Sequence, residues 1–299
     1  MKLGLYTDVH FSKYSSIIQS RGDKYTTRLE NCIDSINWAE EVLKDCDKII
    51  CLGDFFDKAF VDAEVIEALN EINWNSKEHY FLLGNHEIEG QFNNLKLLPG
   101  KWITESMIED NIAFIPFGGE ELWSDIVLSH NMIKGIQMGG ILSNTGIDLE
   151  EIKEKCKIFV NGHLHSDEII GNYISLGNLT GQNFSENAQY HSHNIMILDT
   201  ETFEYELIEN PYAFNFYKLD KLIPLKNNAV ITLKTKYKDI KLPKEVVASR
   251  IILEKEIDDT ENEKLEDLEI DHIESFKNYI LMTLGSSDLV KSELEMLLS

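Results

Sequence analysis

Five short polar clusters carry the side chains in this sequence that could do chemistry. They are Asp8-Val9-His10, Gly53-Asp54-Phe55-Phe56-Asp57, Gly84-Asn85-His86-Glu87, Ser129-His130 and Gly162-His163-Leu164-His165, and they hold five of the nine histidines. Asp, Asn and neutral His offer oxygen and nitrogen donors that suit Mn, Fe or Zn in near-octahedral geometry, and no Cys falls among them to suggest a structural zinc site. Two metals about 3.5–4 Å apart need a bridging ligand, and a carboxylate has two oxygens for that task. In D-x-H and H-x-H both side chains leave the same side of an extended segment. Glycine before Asp54, Asn85 and His163 permits a sharp turn off a strand. Taken singly, each cluster is ordinary: a lone His caps helices, an Asn sits in turns, and Ser-His occurs freely. Their shared position, each just after an apolar run, points to one centre, because sites in open α/β sheets form at the carboxyl ends of strands.

The elements that must position them alternate over the first two thirds of the chain. Leu3–Tyr6, Ile49–Leu52 and Tyr80–Leu83 read as buried strands. Between them, Leu29, Cys32, Ile33, Ile36, Val42 and Leu43 follow helical spacing to about Lys44, after a capping-box pattern at Thr27 and Glu30. Val61–Ile72 reads as a second helix. Ile126–Leu128, Ile158–Val160 and Ile195–Leu198 are further strands. This β-α-β-α-β order implies a partly parallel sheet with helices on its faces. After about Asn172 strand follows strand, as in antiparallel pairing. Val230–Thr235 and Val246–Leu253 read as strands of a small β-rich appendage. Glu254–Asp271 holds ten acidic residues against Lys255 and Lys264, a solvated-linker texture. Two amphipathic helices follow, one on Ile273, Phe276, Ile280 and Leu284, the other on Leu289 or Val290, Leu294, Leu297 and Leu298.

Composition bounds the function. The 299 residues carry a formal charge of −24, with 43% hydrophobic and 10% aromatic residues, which argues against global disorder and against an isolated basic nucleic-acid module. No apolar run approaches the roughly 20 residues that span a bilayer. The first residues lack the apolar core of a secretory signal. Cys32, Cys46, Cys51 and Cys156 are scattered, as in reduced proteins, so a cytoplasmic location is expected.

D-x-H, G-D-x-x-D, G-N-H-E, S-H and G-H-x-H, in that order, resemble the calcineurin-like metallophosphoesterases over about residues 1–205. Within that superfamily the chain is most similar to the SbcD / meiotic recombination 11 nuclease subunits, and particularly to the smaller phage recombination endonuclease subunits. Gly53-Asp54-Phe55-Phe56-Asp57 resembles that family's G-D-x-F-D. The stretch from Gly162-His163-Leu164-His165 to the strand ending Asp199-Thr200-Glu201-Thr202 resembles the phage subunits, as do the β appendage, acidic linker and terminal helices.

The resemblance implies a four-layer αββα sandwich with mixed sheets, plus a small β-rich capping domain and C-terminal helices. It divides the chain into a nuclease domain (1–208), a capping domain (209–254), an acidic linker (255–271) and ATPase-docking helices (272–299). It implies two divalent cations, Mn2+ first, with Mg2+, Fe2+ or Zn2+ as alternatives. Asp8, His10 and His165 would hold one metal and Asn85, His130 and His163 the other, with Asp54 bridging. His86 would protonate or stabilise the leaving oxygen, and Asp57 would orient a ligand. Glu87 stands where the family more often has Asp, and Phe11-Ser12 where it usually has Leu-Gly; both changes bear on substrate geometry near those loops. His191 and His193 are expected near the rim without binding metal, His79 and His272 without a catalytic part, and Phe55 and Phe56 as packing residues. The implied activity is exonuclease and endonuclease cleavage of DNA in repair or recombination, by a homodimer working with an SbcC-like coiled-coil ATPase. DNA would be met mostly through that complex, because Lys and Arg are few and Arg is confined to Arg21, Arg28 and Arg250. The competing readings are a stand-alone phosphoesterase acting on small phosphodiesters or phosphoproteins, and a catalytically quiet scaffold.

Overall fold

The computed structural model describes residues 1–16, 24–89, 92–138, 141–237 and 240–253. The acidic run, the terminal helices, Arg21 and His272 lie outside the described residues. Met1–Thr235 and Asp239–Ile252 form one compact unit. Lys236–Lys238 and Leu253–Ser299 form a second, most of which lies outside the described residues.

Fifteen strands build the three main sheets: β1 Lys2–Tyr6, β2 Lys48–Cys51, β3 Glu78–Leu82, β4 Lys101–Ile103, β5 Met107–Glu109, β6 Ile112–Ile115, β7 Ile126–Ser129, β8 Ile158–Asn161, β9 Asp167–Ile170, β10 Tyr173–Leu176, β11 Asn194–Asp199, β12 Tyr205–Glu209, β13 Asn215–Leu219, β14 Ala229–Thr235 and β15 Val246–Leu253. Among the described residues the α-helices are α1 Thr27–Val42, α2 Ala63–Ala68 and α3 Leu149–Lys155. One six-stranded sheet runs β12-β11-β1-β2-β3-β4, and a second runs β9-β10-β8-β7-β6-β5. Both are mixed: β1, β2, β3 and β4 are parallel while β11 lies antiparallel to β1, and β6, β7, β8 and β10 are parallel while β9 and β5 are antiparallel edges.

The period-two alternation of strand side chains explains the layering. Leu3, Leu5, Ile50, Leu52, Tyr80 and Leu82 of the first sheet meet Ile112, Phe114, Ile126, Leu128, Ile158 and Val160 of the second in one dry core. The alternate residues Ile49, Cys51 and Phe81 face outward against Leu29, Cys32 and Ile36 of α1 and Val65 of α2. On the far side, Ala113, Val127 and Phe159 pack on Leu149 and Ile152 of α3. The architecture is the αββα sandwich, with an extra strand-rich region, β13-β14-β15, at its end.

Three local readings need correction. The cap of α1 is Thr26, whose hydroxyl accepts from Leu29 N; Glu30 reaches back to Tyr25 N, so the motif starts one residue earlier than Thr27. The second helix is a short six-residue α-helix, Ala63–Ala68, finished by a 3₁₀ turn at Leu69–Glu71, so it is shorter than the expected Val61–Ile72. In the last third, β13 and β14 pair in parallel, not antiparallel. Among the described residues no helix is long and apolar enough to cross a membrane.

Candidate metal centre

Each polar cluster follows a strand of the two sheets, and the loops after β1 and β2 are laced together. Asp8 N donates to Gly53 O (3.1 Å), His10 N to Asp54 O (3.0 Å) and Phe11 N to Phe55 O (2.6 Å). This lacing bends the backbone hard. Asp8, His10, Asp54 and His163 all sit at positive φ, between 47° and 70°, where non-glycine residues are uncommon. Of the glycines read as turn formers, only Gly53 has positive φ (113°). Gly84 and Gly162 are required for space: a Cβ would lie 2.1 Å from Asp54 Oδ1 and 2.3 Å from Thr7 Oγ1, respectively.

The structure brings all eight expected ligand and catalytic residues together. Asp8, His10 and His165 form one group of mutually close donor atoms, and Asp54, His130 and His163 another. Asp54 Oδ2 lies 3.1 Å from His130 Nε2 and 4.0 Å from His10 Nε2, between the two groups. His163 Nδ1 is 2.8 Å from Asn85 Oδ1. His10 Nε2 and His165 Nε2 are 3.0 Å apart, each 3.8 Å from Asp8 Oδ1. His86 N donates to Asp54 Oδ1 (2.9 Å), and its ring stands edge-on to that of His10. His86 also lies within reach of His10 and Asp54 in a third possible ligand group.

The outward ring nitrogens of His130, His86 and His165 are already hydrogen-bonded. His130 Nδ1 donates to Leu52 O (2.8 Å), and His86 Nδ1 to Asp57 O (2.8 Å). His10 Nδ1 faces Asp57 Oδ1 at 3.5 Å, so Asp57 touches one ligand through its carboxylate and His86 through its carbonyl. His165 Nδ1 faces Glu186 Oε1 at 3.1 Å. In the neutral ring each such arrangement leaves Nε2 as the inward nitrogen with the free lone pair.

The electrostatics favour a cation. Burial pushes the Asp54 carboxyl up, but the neighbouring His130 outweighs it and holds Asp54 well below the usual carboxylate range. Burial pushes His130 down, yet the Asp54 and Asp8 charges lift it to about 9. Burial and then the His130 charge hold His163 at about 4, and burial lowers His10. Asp8 Oδ1 and His130 Nε2 are buried without a hydrogen-bond partner. An unpaired buried carboxylate oxygen facing two imidazole nitrogens is the environment a divalent ion satisfies, so the donor set fits the metals its chemistry suggests.

Three supporting roles were not read from the sequence. Glu87 turns inward, fully buried, and its carboxylate accepts from Gly84 N, Asp54 N and Phe56 N, so it shapes the loops and does not face substrate. Burial and the Asp54 charge push it up to about 8 against the pull of those amides. Arg28 is wholly buried and donates to Val9 O and Gly181 O. Glu186 is the third. Phe55 and Phe56 are buried packing residues. His79 is spent on Glu40 (3.0 Å). His191 and His193 are buried beside Asn178, outside the three ligand groups. An open groove lined by Phe117, Gly118, Asn131, Met132 and Gly146 runs beside His163, whose Nε2 is 3.0 Å from Met132 Sδ.

No curated protein matches the chain. A solved structure described as a novel archaeal phosphodiesterase is similar to it at 20% sequence identity, over 70% of this chain and 99% of that one, with a TM-score of 0.38. The family model for calcineurin-like phosphoesterases matches residues 1–167, from Asp8 through His165, more than half of the chain. The chain therefore belongs to the calcineurin-like phosphoesterase family, hydrolases that work with divalent metal ions.

Proposed function

We propose that the protein cleaves DNA phosphodiester bonds with two divalent cations, as the nuclease subunit of an SbcCD-type complex. The observation that carries the hydrolytic part is Asp54, its carboxylate set between His130 and His10 with Asp8 Oδ1 unpaired beside them. Asp8, His10 and His165 would hold one ion, Asn85, His130 and His163 the other, and Asp54 both. Bound there, two such ions supply an activated water for in-line attack and neutralise charge on the phosphoryl oxygens. Manganese suits this nitrogen and oxygen donor set. The bond from His86 Nδ1–H to Asp57 O turns Nε2 towards the leaving oxygen, and the imidazolium form of the ring would give its proton from that atom.

The nuclease and partner assignments rest on the sequence resemblance and on charge. Arg28 is locked inside, and the other basic residues are outnumbered by acidic ones on a chain of charge −24, which repels DNA phosphates. A partner ATPase clamping the duplex supplies what is missing, and residues 272–299 are the docking element. The same charge favours a second reading, a stand-alone enzyme for small phosphodiesters. Hydrolysis of end-labelled duplex and of a small aryl phosphodiester, each with manganese and with or without the ATPase, separates them. Duplex cleavage that depends on the ATPase supports the first reading, and cleavage of the small diester alone supports the second. Deleting residues 272–299 should abolish ATPase co-purification while sparing the small diester; retained co-purification defeats the docking assignment.

A further inference from the structure

We propose that Glu186 is a positioning residue that aims His165 at a divalent cation and so sets the affinity of one of the two metal positions. The inference rests on the two-metal reading above. Glu186 is buried, 21 residues beyond His165, in the loop between β10 and β11. Its Oε1 is 3.1 Å from His165 Nδ1, and its Oε2 accepts from Gln182 N at 2.9 Å. A carboxylate can only accept, so the shared proton belongs to Nδ1 and the lone pair of Nε2 points inward. That Nε2 lies 3.8 Å from Asp8 Oδ1 and 3.0 Å from His10 Nε2. A carboxylate behind a ligating imidazole fixes its tautomer and raises its basicity.

His165 differs here from His130 and His86, while His10 faces the Asp57 carboxylate at 3.5 Å. His130 and His86 lean on the carbonyls of Leu52 and Asp57, which the neighbouring strand and turn already fix. His165 leans on a side chain carried by a separate loop. That loop is anchored where it matters. Asn178 N donates to His165 O (3.3 Å), and Arg28 Nη1 donates to Gly181 O (2.9 Å). Asn178 Oδ1 meets His191 Nε2 at 3.0 Å, and His191 Nδ1 meets Asp167 Oδ1 at 3.0 Å. Gly177, at φ 72°, has no room for a Cβ, which would fall 2.7 Å from His191 Cε1 and 3.0 Å from His165 O. The loop thus reaches the position built from Asp8, His10 and His165, whereas none of these contacts touches Asn85, His130 or His163. Loss of Glu186 should therefore weaken one equivalent of metal and spare the other.

The test is a manganese titration of the full chain, following free Mn2+ by electron paramagnetic resonance, for wild type, Glu186→Gln and Glu186→Leu, with melting of each metal-free protein. Wild type should take up two equivalents. Glu186→Leu should lose about 10–100-fold in affinity for one equivalent, with the other unchanged. Glu186→Gln keeps an acceptor oxygen and the shape, so it should recover part of that loss and melt like wild type without metal. If the Leu variant does not fold, the Gln variant carries the test, with the same one-sided loss at smaller size. Unchanged affinity in a folded variant overturns the inference alone. So does equal weakening of both equivalents accompanied by a lower metal-free melting temperature, which marks a merely structural residue. Wild type that takes up no manganese overturns the two-metal reading, and the inference with it.

Discussion

The pattern H-x-H occurs twice, as His163-Leu164-His165 and as His191-Ser192-His193, and the fold uses the two differently. In the second pair both ring nitrogens of His191 and Nδ1 of His193 are spent within the protein. His191 meets Asp167 and Asn178, each at 3.0 Å, and His193 Nδ1 donates to Asn178 O at 3.0 Å. In the first pair, His165 Nε2 points at His10 Nε2 from 3.0 Å, beside an unpaired Asp8 oxygen. A buried polar atom without a partner costs about 1–3 kcal/mol, so the first arrangement calls for a cation and the second does not. Identical spacing therefore carries no function by itself; what the outer nitrogens leave unmet decides it.

The largest effect that would break this contrast lies at Asp54. Asp54→Ala removes the carboxylate that both ligand groups approach, so hydrolysis should fall to background and manganese uptake should collapse. His193→Gln, in the satisfied pair, should still bind two equivalents. Equal manganese uptake by Asp54→Ala and wild type would erase the distinction between the pairs. Next in size is His86→Ala. It should retain both ions and lose about 10²–10³ in turnover, the usual cost of removing a group that acts at the developing charge. Loss of an ion would instead move His86 into the cage with His10 and Asp54, the third group of close donors.

The convergence of the candidate residues was legible because each follows an apolar run that is also a buried strand, so sequence order and spatial proximity coincide. The partly parallel first sheet was legible from the order of its apolar runs, while the two-sheet sandwich came from the family resemblance; in the structure Leu3, Leu5, Ile50 and Leu52 face the second sheet and alternate with residues of the outer face. What stayed hidden acts across long separations with no local signature. Glu186 belongs to no periodic pattern and gains its meaning only from His165. Arg28 sits in an amphipathic helix and reads as a surface cation until its guanidinium is seen closing on Val9 O and Gly181 O. Glu87 looks like a substrate-facing variation, yet three backbone amides claim it. β4 and β5 are three residues each, too short for alternation to register. The parallel pairing of β13 and β14 has no crossover helix to announce it, since only residues 220–228 connect them.

The smallest expected effect sharpens the contrast from the satisfied side. Burial, then the His191 charge, holds His193 at about 3, below its ordinary 6.5. The folded protein keeps this ring neutral while the unfolded chain takes up a proton once the pH drops below about 6.5. Its contribution is therefore fully present above that pH and is lost progressively as the pH falls towards 3. Between pH 6.5 and 5 the loss reaches at most about 2 kcal/mol. Urea unfolding of the metal-free protein at pH 7 and pH 5 reads this directly, and ligand histidines contribute equally to wild type and His193→Gln. The variant should start less stable at pH 7, having lost the bond to Asn178 O, but should decline less between the two pH values. Parallel declines would mean that His193 gains a proton in the folded state. His193 would then no longer be the satisfied, neutral counterpart of His165.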